Sequence, residues 1–361
     1  MEPRRYGMIE GVLGKAGGEG AIRMSTDEPS PRDTLLQLTN AFRASQAIHV
    51  VATLGVADLL EDGPRSVDEL AQATGTHAPT LYRLLRALAS VGVFAEEPDG
   101  QFRSTPLAEY LRTNAPRSLR AWAMQVGQQY LWTSWGHLLH SVRTGEPAFP
   151  ELYGTTAWEY RQAHPEEDAV FNAAMTALSA GVVEAILQSY DFSGMGVLMD
   201  VGGGEGVLLA AILAVNPALH GVLFDQPHVV TAANNLLERA GVADRCEVVS
   251  GSFFESVPGG ADAHLLKSIV HDWDDTATVE ILRACRAAIA DSGRLLVVEP
   301  IIRAGNEPDP AKFSDLNMLV MLGGQERTAD DFERLYAEAG FRLTDIIRTG
   351  SSMAIIEGVP V

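Results

Sequence analysis

The segment Val197-Leu198-Met199-Asp200-Val201-Gly202-Gly203-Gly204-Glu205-Gly206, with the apolar run Val207 to Val215 behind it, constrains this chain more than any other. An apolar, β-branched stretch that breaks into three glycines reads as a buried strand ending in a tight turn. The run behind it meets no breaker until Pro217, so its spacing predicts a helix of about two to three turns. Strand, turn and helix start form a cradle for a polar ligand. Glycine lets the backbone approach that ligand, and the helix start offers free N–H groups. The spacing is Gly-x-Gly-x-Gly, not the Gly-x-Gly-x-x-Gly of a dinucleotide turn, which disfavours a nicotinamide oxidoreductase. Asp200 places a carboxylate inside the strand.

Strands and helices alternate after this cradle. Strands are expected at 221–225, 246–250, 263–270 and 294–299, with helices at 229–240 and 276–290 between them. A last helix is expected at 328–339, with strands at 341–348 and 353–357. Such alternation predicts a parallel sheet wound on both faces, with ligands outside the carboxyl ends of its strands. Those ends carry polar groups. Asp225 ends the second strand, where a carboxylate can take both hydroxyls of a ribose. Gly251-Ser252-Phe253-Phe254 could border an adenine. The fourth strand carries Lys267 and leads into His271-Asp272-Trp273, and the fifth ends at Glu299. The loop Gly323-Gly324-Gln325-Glu326-Arg327-Thr328 precedes the last helix, where Thr328 could equally be a plain cap.

A histidine among carboxylates has the makings of a general base. Its unperturbed pKa is about 6.5, and a carboxylate on one ring nitrogen raises the basicity of the other. A phenol, with a pKa of about 10, needs such a base near neutral pH. The bland alternative for His271 is a cap on the next helix. No metal is expected: no Cys/His pair has ligand spacing, and His264 falls on the opposite face by strand parity.

Upstream, apolar residues recur at helical spacing from Thr34 to Leu60, interrupted at Gly55. Ser66 caps a short helix with Glu69 three residues on, and Pro79 opens a third helix over 80–91. Val91 to Ala95 and Gln101 to Ser104, joined through Pro98-Asp99-Gly100, read as a two-stranded wing. This winged-helix unit would place Arg83 and Arg86 on a recognition helix if it read DNA. As a dimerisation scaffold, its arginines would pair with surface acids. The net charge of −20 repels phosphate and favours the scaffold over nucleic acid as a partner. Residues 116–190 are helical and rich in aromatics, either as core or as a flat apolar pocket for a ring-shaped substrate, with Trp132 the leading candidate. The two cysteines, Cys246 and Cys285, read as buried thiols. No apolar run reads as long enough to span a membrane, so a soluble cytoplasmic enzyme is expected. Residues 1–30 read as a disordered tail, with Met24 as an alternative start.

At this point the chain resembles the class I S-adenosylmethionine-dependent small-molecule O-methyltransferases. The likeness is to bacterial enzymes that tailor aromatic natural products and, more distantly, to plant caffeate-type enzymes. It rests on Asp200-Val201-Gly202-Gly203-Gly204, Phe224-Asp225-Gln226-Pro227-His228, His271-Asp272-Trp273-Asp274-Asp275 and the 323–328 loop. It implies an α/β fold: a Rossmann-like, seven-stranded catalytic domain over 191–361. An N-terminal winged-helix domain over 31–112 would form a homodimer, joined by a helical, substrate-lining segment over 113–190. It implies that Gly202 and Gly204 cradle the methionine part of S-adenosylmethionine, Asp225 holds the ribose, Phe253 packs on the adenine and Lys267 closes that side. Met175 and Ser179 would lie on a helix that touches acceptor and cofactor; beside them, Asp272 and, from the aromatic cluster, Trp132 are acceptor-side candidates. His271 would be the base, flanked by Glu299 and Glu326. Where the family carries Gly-Asp, this chain has Ser252, which implies altered adenine recognition. The implied activity is methylation of a hydroxyl, a phenol first, with S-adenosylhomocysteine as product. Alternatives on the same fold are N- or C-methylation and cofactor-assisted decarboxylation or hydroxylation. From another class, the alternative is a winged-helix regulator that senses the cofactor.

Overall fold

The computed structural model describes residues 30–361. The tail expected over residues 1–30 lies outside them, save Ser30, whose hydroxyl accepts from the Asp33 amide and caps the first helix. Residues 30–43 and 44–361 form two units. In the first, the helix Pro31–Asn40 leaves Leu35, Leu36 and Leu38 exposed. The helical segment expected from Thr34 to Leu60 is broken at Gly55 as expected, at φ +67° before Val56–Leu59, and also at Ala41, which separates Pro31–Asn40 from Phe42–Leu54.

The winged unit follows its sequence closely. Ser66 and Glu69 form the expected capping box on the helix Val67–Thr74. The helix Ala78–Ala89 buries Leu81, Leu85 and Leu88 on one face. Strand β1 (Phe94–Glu96) pairs antiparallel with β2 (Phe102–Ser104) to make the wing. Among the described residues Arg83 and Arg86 form no ion pair, contrary to expectation; the Arg86 guanidinium lies 5.4 Å from the Tyr82 ring centroid instead.

Between the wing and the sheet, Tyr130, Phe149, Tyr153 and Tyr160 interlock edge to face and stacked, with centroids 4.6–6.0 Å apart. They form a core with Val320 and Met321. The helix Pro165–Ser189 corrects one expectation. By length and composition it is apolar enough to cross a membrane. Here it buries Val183 and Ile186 in the core under the sheet. Three acids, Glu166, Glu167 and Asp168, crowd its first turn, where the helix dipole favours them.

The large sheet has seven strands in the order β5-β4-β3-β6-β7-β9-β8. They are β3 (Val197–Val201), β4 (His220–Asp225), β5 (Cys246–Ser250), β6 (Ala263–Lys267), β7 (Arg294–Pro300), β8 (Phe341–Arg348) and β9 (Met353–Pro360). The first five are parallel, as expected. One strand is reversed: β9 runs antiparallel to both β7 and β8, so β8 again points the same way as the first five. The turn between β8 and β9 is too short for the crossover that parallel strands require. Buried clusters pack on both faces of the sheet. Cys285 is buried, but Cys246 is only half-buried. A helix over Ala311–Met321, absent from the sequence reading, follows β7.

Candidate active site

The strand-end rule places the glycine turn at the carboxyl end of β3. Gly202 sits at φ +72°, and a Cβ there would fall 2.5 Å from the Ile269 side chain. At Gly203 a Cβ would meet Leu223 at 2.5 Å and Asp200 at 2.6 Å. These two glycines are therefore demanded by packing. Gly204 differs: at φ +62° its missing Cβ would meet nothing within 4 Å, so the turn faces open space there.

Asp225 closes the turn from β4. Its carboxylate accepts from the Gly204 amide at 2.8 Å and the Gln226 amide at 2.6 Å. Burial, the largest influence, pushes its pKa up against these hydrogen bonds. Beside it lies a cleft of about 160 Å³ lined by Asp225, Ser252, Phe253, Phe254 and Trp273. The Phe254 and Trp273 rings meet edge-on at 4.8 Å. Ser252 accepts from the Phe254 amide at 3.3 Å. A carboxylate, a hydroxyl and an aromatic wall beside an open glycine turn fit a nucleoside joined to an amino-acid tail. Four residues named from sequence, Asp225, Ser252, Phe253 and Phe254, meet here; Trp273 was quoted only as part of a motif.

Lys267 ends β6 with its Nζ 3.3 Å from the Ser179 hydroxyl, so two expected cofactor contacts meet across 88 residues of chain. Burial lowers the lysine pKa, opposed by Asp200, Glu299 and Asp272. Burial also raises the Asp200 carboxyl to about 7, against the pull of Lys267. Met175, one helical turn before Ser179, is half-buried on the same face. Trp132 donates its indole N–H to the Val126 carbonyl at 2.7 Å.

The strand expected to reach residue 270 stops at Lys267, because Ser268 adopts a left-handed φ of +56°. Such strain in a non-glycine residue concentrates at functional sites. His271 therefore rides a 3₁₀ turn, Val270–Asp272, and not a strand end. It is not the helix cap either: Asp274 caps Asp275–Ala288 by accepting from the Ala277 amide. The imidazole is held from both sides. Its Nδ1 lies 3.0 Å from Glu326 Oε1 and 3.4 Å from Glu299 Oε2, and its Nε2 lies 3.5 Å from Asp272 Oδ1. The other oxygen of Glu299 accepts from the amides of Ile269 and Val270 at 2.9 and 3.1 Å, so one carboxylate fixes both the turn and the ring. Burial pulls the His271 pKa down, but Glu299, Asp272 and Glu326 outweigh it and lift it to about 10. Burial lifts Glu299 to about 7 despite His271. The ring nitrogen and the two glutamate oxygens lie within 4.8 Å of one another, a set that by distance alone could also hold a cation.

Sequence reasoning missed what holds this turn in place. Glu326 accepts from the Ser314 hydroxyl at 2.7 Å, and Asp315 accepts from the Glu326 amide at 2.9 Å. Both partners ride the unforeseen helix Ala311–Met321. Its signal was present: Pro310 just ahead of a run with apolar residues at helical spacing. Arg327 is 2% exposed and donates to the carbonyls of Val270 and Trp273 and to the Asp275 carboxylate, clamping both ends of the turn. Gly324 presses on the same turn, where a Cβ would fall 2.1 Å from the His271 carbonyl oxygen. Thr328 is the plain cap, in a box with Asp331.

A glycine turn closed by a carboxylate at one end of a doubly wound sheet, with a carboxylate-held imidazole at the same edge, fits a class I methyltransferase. Residues 135–342 match the O-methyltransferase domain and residues 36–114 the O-methyltransferase dimerisation domain. The chain is 46% identical over 327 residues to a phenazine O-methyltransferase of Lysobacter antibioticus, covering 91% of this chain and 96% of that one. It is 40% identical to a mitomycin biosynthesis 6-O-methyltransferase of Streptomyces lavendulae, over 87% of this chain and 90% of that one. Among solved structures, LaPhzM superposes with a TM-score of 0.87 at 45% identity, covering 91% of this chain and 99% of the other. The chain belongs to the O-methyltransferase family, whose methyl donor is S-adenosylmethionine.

Proposed function

We propose that the protein methylates a phenolic hydroxyl of an aromatic natural product, with His271 as general base, acting in the cytoplasm as a homodimer through residues 36–114. The observation that carries this is the imidazole pinned by Glu299 and Glu326 on Nδ1, which leaves Nε2 to meet the acceptor. The relatives named for phenazine and mitomycin chemistry support an aromatic acceptor drawn from antibiotic biosynthesis.

S-adenosylmethionine supplies an electrophilic methyl group. The chain's own residues do the rest. Gly202, Gly204 and Asp225 would hold the cofactor's amino-acid and ribose parts, with Phe253 and Ser252 on the adenine side and Lys267 with Ser179 closing the site. Met175 and Trp132 would pack on the acceptor ring. Nε2 would take the phenolic proton, leaving the acceptor oxygen as the nucleophile toward that methyl group. An imidazole raised toward the pKa of a phenol makes that transfer close to balanced. Asp272, beside Nε2, stabilises the imidazolium that results.

The test is turnover of a panel of hydroxyquinones, phenols and hydroxyphenazines with labelled cofactor, by wild type and His271→Ala. Turnover should fall by about two to four orders of magnitude in the variant, with S-adenosylhomocysteine binding intact. Unchanged turnover removes His271 from the chemistry.

A further inference from the structure

One charged side chain near the catalytic turn has no assigned task. Arg161, in the helix Ala157–Ala163, is 5% exposed. Its guanidinium carbon lies 4.4 Å from the Trp158 ring centroid and 3.9 Å from that of Phe171, so two aromatic rings clamp it. Its Nη2 is buried and has no hydrogen-bond partner among the described residues. It forms no ion pair there either, although Asp168 and Asp272 are near enough to act on it electrostatically. Arginine keeps its charge in proteins, so this is a buried cation with an idle donor. Leaving such a donor unpaired in the interior is unfavourable and persists in a fold only where something else compensates.

Its neighbourhood says what that is. Asp272, which feels Arg161, is the carboxylate 3.5 Å from Nε2 of His271, the edge at which the acceptor reacts. Tyr130, whose hydroxyl accepts from Gln125 Nε2 at 2.6 Å, also hydrogen-bonds to the guanidinium, which leaves Nη2 as the donor without a partner. A guanidinium fixed between ring faces presents its N–H edge, the geometry that receives a carboxylate. We propose that Arg161 anchors a carboxylate on the acceptor, so that the preferred substrates are aromatic hydroxy acids. This rests on the reading of His271 as the base toward an aromatic hydroxyl. Arg161 then sets specificity: it orients the ring and leaves the proton transfer to His271.

The experiment compares a hydroxynaphthoic acid with its methyl ester. Binding of each to the full-length protein loaded with S-adenosylhomocysteine is measured by calorimetry, and kcat/KM for each with S-adenosylmethionine. Wild type should bind the acid about 10- to 100-fold tighter than the ester, the span of a hydrogen-bonded charge. Arg161→Met should erase that ratio, and Arg161→Lys should keep part of it. Equal binding of acid and ester by wild type overturns the proposal without need of any variant. So does an Arg161→Met protein that loses both ligands in equal proportion, which would mark a purely structural stack. Binding without methyl transfer to either compound counts against the phenol-methylating reading and leaves the anchor standing.

Discussion

The glycine-turn side and the imidazole side are built by different means. On the glycine-turn side, the contacts are backbone turns and strand termini: Gly202 to Gly204 with the Gly204 amide donating to Asp225, then Ser252 and Phe253 lining the same cleft. On the imidazole side, His271 is held by Glu299 and Glu326, and Glu326 by Ser314 and Asp315, on four separate elements. The first is fixed by backbone sterics at Gly202 and Gly203. The second is a buried polar network, whose members depend on each other and fail together when one is lost.

That contrast can be broken at several points. The largest effect should come from Arg327→Met. It removes one partner of Asp275, which keeps Arg334, and leaves the Val270 and Trp273 carbonyls without their donor, which should lower stability by about 1–3 kcal/mol in urea unfolding, the cost of unsatisfied buried polar groups. If stability holds and only turnover falls, the clamp serves the base alone and the network is less coupled than described. Next, Asp225→Ala should weaken S-adenosylhomocysteine binding about 10- to 100-fold by calorimetry, with affinity for the acceptor retained. Equal loss on both sides would show that the sides are not independent.

A third test uses pH. A base acts only when unprotonated, so kcat/KM must rise with pH. The three carboxylates hold the His271 pKa above its ordinary value, so the midpoint should lie above about 6.5 and move down in Glu326→Gln. A midpoint at or below the ordinary histidine value would contradict the network. The smallest effect is expected for Ser252→Asp, which adds a charged acceptor on the adenine side. Cofactor binding should tighten about two- to tenfold, within the net value of one hydrogen bond.

Much of the catalytic half was legible. β3, β5 and β8 fall where alternation and breakers put them, because buried parallel strands are short apolar runs bounded by turns. The capping box at Ser66 was legible because a cap depends on residues three apart; at Thr328 the cap was legible as an alternative, and its box with Asp331 was not named. The antiparallel run of β9 was not, since alternation of apolar residues does not record strand direction. Nor was the half-exposure of Cys246, which depends on what packs over an edge strand.

The sequence by itself determined the cradle, the order of the strands along the chain and the identity of the acids and histidine at their ends, since glycine spacing and apolar period act over a few residues. Only the tertiary structure decided that His271 leaves the strand on a strained turn, that Ser314, Asp315, Arg327 and Gly324 fix that turn, and that Arg161 lies stacked between two rings with an idle donor. Those facts arise from contacts between segments far apart in the chain, where burial and charge are set by neighbours that no local pattern encodes.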